Sequence, residues 1–367
     1  MTNQTALPFY QFRGGSSKGL YFHGHDLPSD KAKREAVLKS VMGAHGDPRQ
    51  IDGLGGGDPL SSKIAIITPS DRPGIDVDYQ FIQAIIGEDR LDDTPNCGNI
   101  LAGVGAFALE TGLVTATGDE AHISVYMTNS AKICHLTFPI KEGLPVYEGD
   151  HKIDGVYGTS APVICRYEGL AGSLCGALLP TGKSCDIIDG YQVTLIDNGM
   201  PVVMMRATDF GITGVESPDI LNQNEDLKAK IESIRLIAGQ MMGLGDVRDK
   251  AVPKMCLTSA SQDDTAFSTR MFIPKQCHKA IGVLGAVTAA SAACLPDSAV
   301  FDLAKVPDGP SKQLSIGHPS GRFDVQLDFA ASEDGIQQST EIISAGLLRT
   351  TRLLARGHAF IPHHLAT

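Results

Sequence analysis

Two cysteine-led apolar segments, spaced half a chain apart, constrain this sequence more than any other feature. Cys97 opens Asn96-Cys97-Gly98-Asn99-Ile100-Leu101-Ala102-Gly103-Val104-Gly105-Ala106-Phe107-Ala108, and Cys277 opens Gln276-Cys277-His278-Lys279-Ala280-Ile281-Gly282-Val283-Leu284-Gly285-Ala286-Val287-Thr288. The offset is 180 positions in a chain of 367, and it brings Gly105 and Ala106 onto Gly285 and Ala286. A helix that is small or apolar on every side is buried all round, as inside a ring of strands. Residues 99–109 and 280–293 are the two helices expected. A weaker echo precedes them, Ser62-Lys63-Ile64-Ala65-Ile66 before the first and Pro253-Lys254-Met255-Cys256-Leu257 before the second. The expected architecture is therefore two similar halves, each several strands wrapped around one central helix.

The length fits two domains, each large enough for its own core. Mean hydropathy is −0.01 with 42% apolar residues, ordinary for a soluble globular protein. The 31 basic and 42 acidic residues give −11 with no basic stripe, which argues against a nucleic-acid partner. Residues 1–10 lack the apolar stretch of a signal peptide, and no run reaches the ~18 apolar residues of a membrane span. The eight cysteines stand at 97, 134, 165, 175, 185, 256, 277 and 294 without C-x-x-C pairing, so reduced thiols in a cytoplasmic setting are expected.

Short apolar or alternating runs at 19–22, 63–68, 77–85, 122–127, 133–138, 192–196 and 201–205 lie between Gly, Pro, Asp and Asn, which predicts strands joined by turns. Residues 29–41, 226–244 and 345–354 are further helix candidates. Chemistry-bearing residues gather in three segments. These are Phe12-Arg13-Gly14-Gly15-Ser16-Ser17-Lys18-Gly19, Ile51-Asp52-Gly53-Leu54-Gly55-Gly56-Gly57-Asp58-Pro59-Leu60-Ser61-Ser62-Lys63 and Asp93-Thr94-Pro95-Asn96-Cys97-Gly98-Asn99. Glycines beside hydroxyls and a cation let backbone N–H groups approach an anion; a tight turn is the plainer reading of any one such stretch, less so of three carrying Ser, Lys and Arg.

Lys63 leads into Ile64-Ala65-Ile66-Ile67, where burial would disfavour its ammonium and suit a general base; a solvated lysine at a strand start is the plainer reading. Cys97 sits where a helix start stabilises a thiolate, against the alternative of an inert buried thiol. Ala177-Leu178-Leu179-Pro180-Thr181-Gly182-Lys183-Ser184 fits a relaxed phosphate-loop pattern, but no strand leads in and no helix follows. His23, His25, His363 and His364 lack a set of metal-ligand partners, and no metal site is expected.

At these residues the chain resembles the PrpF-like isomerases, a family that includes methylaconitate isomerase and 4-oxalomesaconate tautomerase and is related to diaminopimelate epimerase. The three segments carry the resemblance. Ile153-Asp154-Gly155, Met242-Gly243-Leu244-Gly245-Asp246, Cys277-His278-Lys279-Ala280, His318-Pro319-Ser320-Gly321 and Arg349-Thr350-Thr351-Arg352 extend it over nearly the whole chain. The resemblance implies an α+β, diaminopimelate epimerase-like fold of two pseudo-symmetric domains, each a strand barrel around a central helix, with the site between them. The expected division is 1–150 with 345–367, and 151–344. It also implies no cofactor, a common homodimer, and Lys63 and Cys97 as the catalytic pair. His278-Lys279 beside Cys277 departs from the small residues of two-thiol epimerases.

The expected reaction is a proton shift across an allylic unit of a small unsaturated di- or tricarboxylate, with a 4-oxalomesaconate-type substrate from aromatic-acid degradation favoured. Lys63 and Cys97 exchange protons with carbon. Gly98 and Asn99 N–H groups and Ser16, Ser17, Ser61 or Ser62 hold the dienolate. Arg13, Lys18, Lys279 and His318 are candidate cations for the carboxylates, with Cys277, His278, Ser320 and Gly321 nearby in the binding set. Lys279 reads equally as a solvated helix residue. A methylaconitate or methylitaconate isomerase, a two-cysteine amino-acid epimerase using Cys97 and Cys277, and a non-catalytic carboxylate-binding protein are the alternatives.

Overall fold

The computed structural model describes residues 3–93, 96–330 and 341–366. The strands in chain order are β1 (Gln4–Gly14), β2 (Ser17–His23), β3 (Lys63–Pro69), β4 (Val77–Ala84), β5 (Leu91–Asp92), β6 (Glu120–Met127), β7 (Lys132–Lys141), β8 (Leu144–Pro145) and β9 (Pro162–Tyr167). They continue as β10 (Asp186–Ile188), β11 (Tyr191–Asp197), β12 (Pro201–Arg206), β13 (Lys254–Ala260), β14 (Phe267–Phe272), β15 (Ser311–His318), β16 (Gly321–Phe329) and β17 (Ile342–Pro362). The helices are α1 (Lys31–Met42), α2 (Gly98–Leu101), α3 (Val104–Glu110), α4 (Pro218–Gln223), α5 (Glu225–Met241), α6 (Val283–Cys294) and α7 (His363–Ala366). No helix among the described residues is long and apolar enough to cross a membrane.

The chain divides into two compact units, Met1–Arg166 with Leu348–Thr367, and Tyr167–Leu347. The sequence expectation changes unit at 150/151 and 344/345. The first change falls later here because β9 pairs with β7 and β17.

In the first unit the pairings close on themselves. β1 runs antiparallel to β2, β2 parallel to β3, β3 antiparallel to β4, β4 parallel to β6, and β6 antiparallel to β7. β9 joins β7 to β17, and β17 returns antiparallel to β1. Alternation divides the strand side chains between two layers. Leu20, Phe22, Ile64, Ile66 and Ile82 pack outward against Val37, Leu38, Val41 and Met42 of α1. That helix starts at Asp30, whose side chain accepts from Lys33 N at 2.9 Å, and stops at Gly43 with φ 65°.

Inward, Tyr10 (edge-on at 5.3 Å) and Tyr21 pack on Phe107 of α3, and Phe12 packs on Tyr21. Burying a phenyl ring this way stabilises by about 1.5–3 kcal/mol. The small residues are what allow the helix inside. A Cβ on Gly105 would lie 2.5 Å from Phe138 Cε1, and one on Gly103 would lie 2.5 Å from Tyr21 Oη. The expected continuous helix over 99–109 is instead interrupted at Ala102 and Gly103. Ile100 O accepts from Gly103 N at 3.0 Å and from the Tyr21 hydroxyl, which takes the place of the next helical bond.

The second unit repeats the series. β10–β11 and β11–β12 are antiparallel, β12–β13 parallel, β13–β14 antiparallel, β14–β15 parallel, and β15–β16 and β16–β17 antiparallel. α5 crosses between β12 and β13 as α1 does between β2 and β3, burying Leu227, Ile231, Ile234 and Ala238. α6 stands where α2 and α3 stand in the first unit, and all ten residues from Gly285 to Cys294 are buried. The expected α+β architecture of two like units, each enclosing a central helix, is present.

Two expectations are corrected. Residues 345–354 are not a helix but part of β17. Their alternation is broken because the register with β1 shifts between Gln11, opposite Ala355, and Phe12, opposite Leu353, leaving Leu354 as an extra residue. Cys277 does not begin the second central helix: it bridges to Phe272, and α6 starts at Val283.

Candidate active site

Lys63 is the first residue of β3, and the register fixes its direction. It lies opposite Gly19 of β2 and Gln83 of β4, on the face with Ala65, Tyr21 and Phe81 and away from α1. The side chain is 8% exposed. Its Nζ donates to Gln83 Oε1 at 2.7 Å and stands 5.1 Å above the Phe81 ring. Gln83 is locked in this orientation because its Nε2 donates to the carbonyls of Pro59 (3.2 Å), Ser62 (3.0 Å) and Ala84 (3.1 Å). Gly19 is required for closeness, since a Cβ there would lie 2.7 Å from Lys63 O.

Cys97 is the N-cap residue of α2 (φ −136°, ψ 98°), and no side-chain hydrogen bond caps that turn. The first N–H groups of a helix have no intrahelical acceptor, so those of Gly98 and Asn99 are available to an oxyanion. Cys97 O accepts from Tyr79 Oη at 3.3 Å, and the thiol is half-buried. Burial first, and then charge on Cys97, push the Tyr21 phenol well above its usual range. Tyr21 lies opposite Ala65, two residues from Lys63. Lys63 and Cys97 belong to the same unit, and Tyr21 and Tyr79 lie on the inward face that Lys63 shares, Tyr79 reaching Cys97 O and Tyr21 reaching Ile100 O.

The β1–β2 turn packs against this helix start. Asn99 Nδ2 donates to Ser16 Oγ at 3.2 Å and Ser17 Oγ at 3.5 Å. A Cβ on Gly14 would lie 2.3 Å from Asn99 O, and Gly15, at φ 52°, has no room beside Asn99 Oδ1. Of the expected site residues, Ser16 and Ser17 thus meet Asn99 beside Gly98 and Cys97, while Lys63 lies opposite Gly19, two residues along β2 from Ser17. Lys18 is exposed, its N–H bonded to Leu60 O at 2.9 Å.

Arg13 is committed to the protein. Nη1 donates to Gly15 O (3.0 Å), Thr350 O (3.1 Å) and Thr350 Oγ1 (2.8 Å), and Nη2 to Ser160 Oγ (2.9 Å). Burial and the neighbouring Arg352 hold its guanidinium below the usual arginine range. Ser61 Oγ bonds Asp58 O at 3.2 Å. Ser62 is fully buried, donating to Gln50 Oε1 at 2.5 Å while accepting from Gly56 N at 3.1 Å, so it shapes the glycine loop. Thr94 and Pro95 of the third segment lie outside the described residues.

In the second unit, Ser320 Oγ donates to Lys279 O, and Ser320 N to His318 Nδ1 at 3.2 Å. His278 Nδ1 accepts from Ala280 N at 3.1 Å, and Gly321 pairs with His318 at the β15–β16 turn. Lys279 is exposed on a loop rather than on a helix. Cys277 is 5% exposed, packed with the α5 core, and burial pushes its thiol up to about 11.

Gln83, Tyr79 and Gln50 were not singled out from the sequence. Gln83 alone had a visible signal, as the last inward position of an alternating run. A groove of about 540 Å³ lined by Thr5, Leu7, Asp26, Asp30 and Lys33 among others contains none of the expected site residues.

A family profile described as PrpF protein matches residues 4–362. The chain is 49% identical to a (4E)-oxalomesaconate Delta-isomerase of Novosphingobium sp. (strain KA1), covering 98% of each chain. It is 47% identical to a 4-oxalomesaconate tautomerase of Pseudomonas putida, covering 96% of each. The solved structure of a methylitaconate-delta-isomerase matches 100% of this chain and 98% of that one at 32% identity and a TM-score of 0.91. With the lysine, the capping cysteine and the glycine turns in one ring, and likeness along its full length, the chain belongs to the PrpF family.

Proposed function

We propose that this PrpF-family isomerase shifts a proton across an allylic unit of a small unsaturated polycarboxylate, with a 4-oxalomesaconate-type keto/enol substrate favoured. The observation that supports the reading is the buried Lys63, whose Nζ is held by a neutral amide and a ring in the same unit in which Cys97 caps α2. Lys63 takes a proton from carbon next to a keto or carboxyl group. The electron pair spreads into a dienolate whose oxygen meets the N–H groups of Gly98 and Asn99. The Cys97 thiol then gives its proton to the far allylic carbon, or the two groups act in reverse. One turnover leaves an ammonium and a thiolate, which reset by proton exchange with water.

The relatives named for oxalomesaconate favour that substrate by identity. The methylitaconate isomerase likeness keeps a methyl-substituted diacid as the second reading. A two-cysteine epimerase is disfavoured, because Cys277 is buried with its thiol pushed up to about 11. A cytoplasmic homodimer serving aromatic-acid breakdown belongs to the same proposal.

The test is proton NMR in deuterium oxide with oxalomesaconate, methylaconitate and methylitaconate. Deuterium should enter the allylic carbon of one substrate. Lys63→Met and Cys97→Ala should each lower turnover by about 10²–10⁴-fold. Near-normal turnover in either folded variant would remove that residue from the reaction.

A further inference from the structure

We propose that Gln83 is a positioning residue that aims the Lys63 amine, an inference that rests on the acid–base role of Lys63. The register places Gln83 directly opposite Lys63 across β3 and β4. The carbonyls of Pro59, Ser62 and Ala84 around Nε2 take both of its N–H groups and leave Oε1 to face Lys63. Oε1 then accepts from Lys63 Nζ at 2.7 Å, while the Phe81 ring covers another side at 5.1 Å.

Both contacts are neutral, and that has a chemical consequence. A carboxylate at this position would hold Nζ as an ammonium, because opposite charge favours the charged form. An amide oxygen accepts from the amine in either protonation state, so it fixes direction without fixing charge. The other titratable groups facing this end of the ring are Tyr21 on β2, Tyr79 on β4, Cys97 at α2 and Asp92, which lies opposite Gln83 on β5. Lys18 is on β2 but points out of the ring, as its neighbour Gly19 lies opposite Lys63.

The experiment compares Gln83→Met and Gln83→Glu with the parent enzyme by steady-state isomerisation from pH 6 to 10, with thermal midpoints measured in parallel. Gln83→Met should lose about 10²-fold in kcat, the cost of an amine displaced by ~1 Å, with KM changed little. Gln83→Glu should move the pH limb that depends on Lys63 upward by about one unit or more, whichever proton transfer Lys63 performs. A residue that only anchored the loop at Pro59 and Ser62 would lower the thermal midpoint and raise KM, leaving the limb in place. That pattern would overturn the inference, as would a Gln83→Met enzyme with kcat within threefold of the parent. If Lys63→Met turned over normally, the acid–base reading would fall and this inference with it. If Lys63→Met were inert while Gln83→Met was active, only the inference would fail.

Discussion

Gly14→Ala tests whether the packing of the β1–β2 turn sets the catalytic geometry. The added Cβ would lie 2.3 Å from Asn99 O and 3.2 Å from Ile100 Cα, both backbone atoms of the turn that Cys97 caps. No flexible side chain can yield there. Restoring an ordinary contact needs about 1 Å of movement between β1 and the helix start. Overpacking of that kind costs about 1–3 kcal/mol of stability, which a domain of this size can survive. A 1 Å misplacement of a reacting group costs about 10²-fold in rate. The expected outcome is a folded protein with kcat/KM down about a hundredfold. Gly357→Ala on β17 is the control: its nearest neighbour is Phe9 Cε1 at 4.0 Å, so both stability and rate should hold. The assay is allylic isomerisation alongside urea unfolding. A Gly14→Ala enzyme within threefold of the parent, with intact stability, would refute the argument that this turn positions Cys97.

Alkylation at pH 8 should reach Cys97 before the other seven cysteines, read by peptide mass spectrometry. With its thiol at about 11, Cys277 would be about one part in a thousand thiolate, so equally fast labelling would contradict its placement. Burial raises both Cys256 and Cys294 to about 12 from an ordinary 9.0. These thiols are neutral in the folded chain while the unfolded chain ionises. Their stabilising effect is thus complete below pH 9 and is lost as pH climbs toward 12. At pH 10 the loss is on the order of 1 kcal/mol for each. Urea midpoints at pH 8 and pH 10 measure it, and a Cys256→Ala, Cys294→Ala double variant with an undiminished fall would disprove the assignment.

Strand runs between turn residues could be read directly, as could the helix candidates at 29–41 and 226–244 that became α1 and α5. So could the helix start at Cys97, because a Pro-Asn-Cys-Gly-Asn run leaves few other conformations. The break at Ala102 and Gly103 could not, since it depends on a tyrosine hydroxyl arriving from β2. β17 resembled a helix because the extra residue Leu354 breaks its alternation. Cys277 misled for a different reason: its resemblance to Cys97 lies in sequence spacing, while its backbone bridges Phe272. The alternating run showed that Gln83 faces inward, but its role depends on Lys63 lying across the strand pair, which the sequence does not show.

Order of synthesis gives the last strand a particular weight. β1 pairs along its whole length with residues 351–362, so this edge of the ring stays open until those residues have left the ribosome. At ~5–20 residues per second that interval is roughly 20–70 s. For that time one edge of β1, whose other edge pairs with β2, has no strand partner. Residues made about 340 positions after β1 therefore close the unit that carries Lys63.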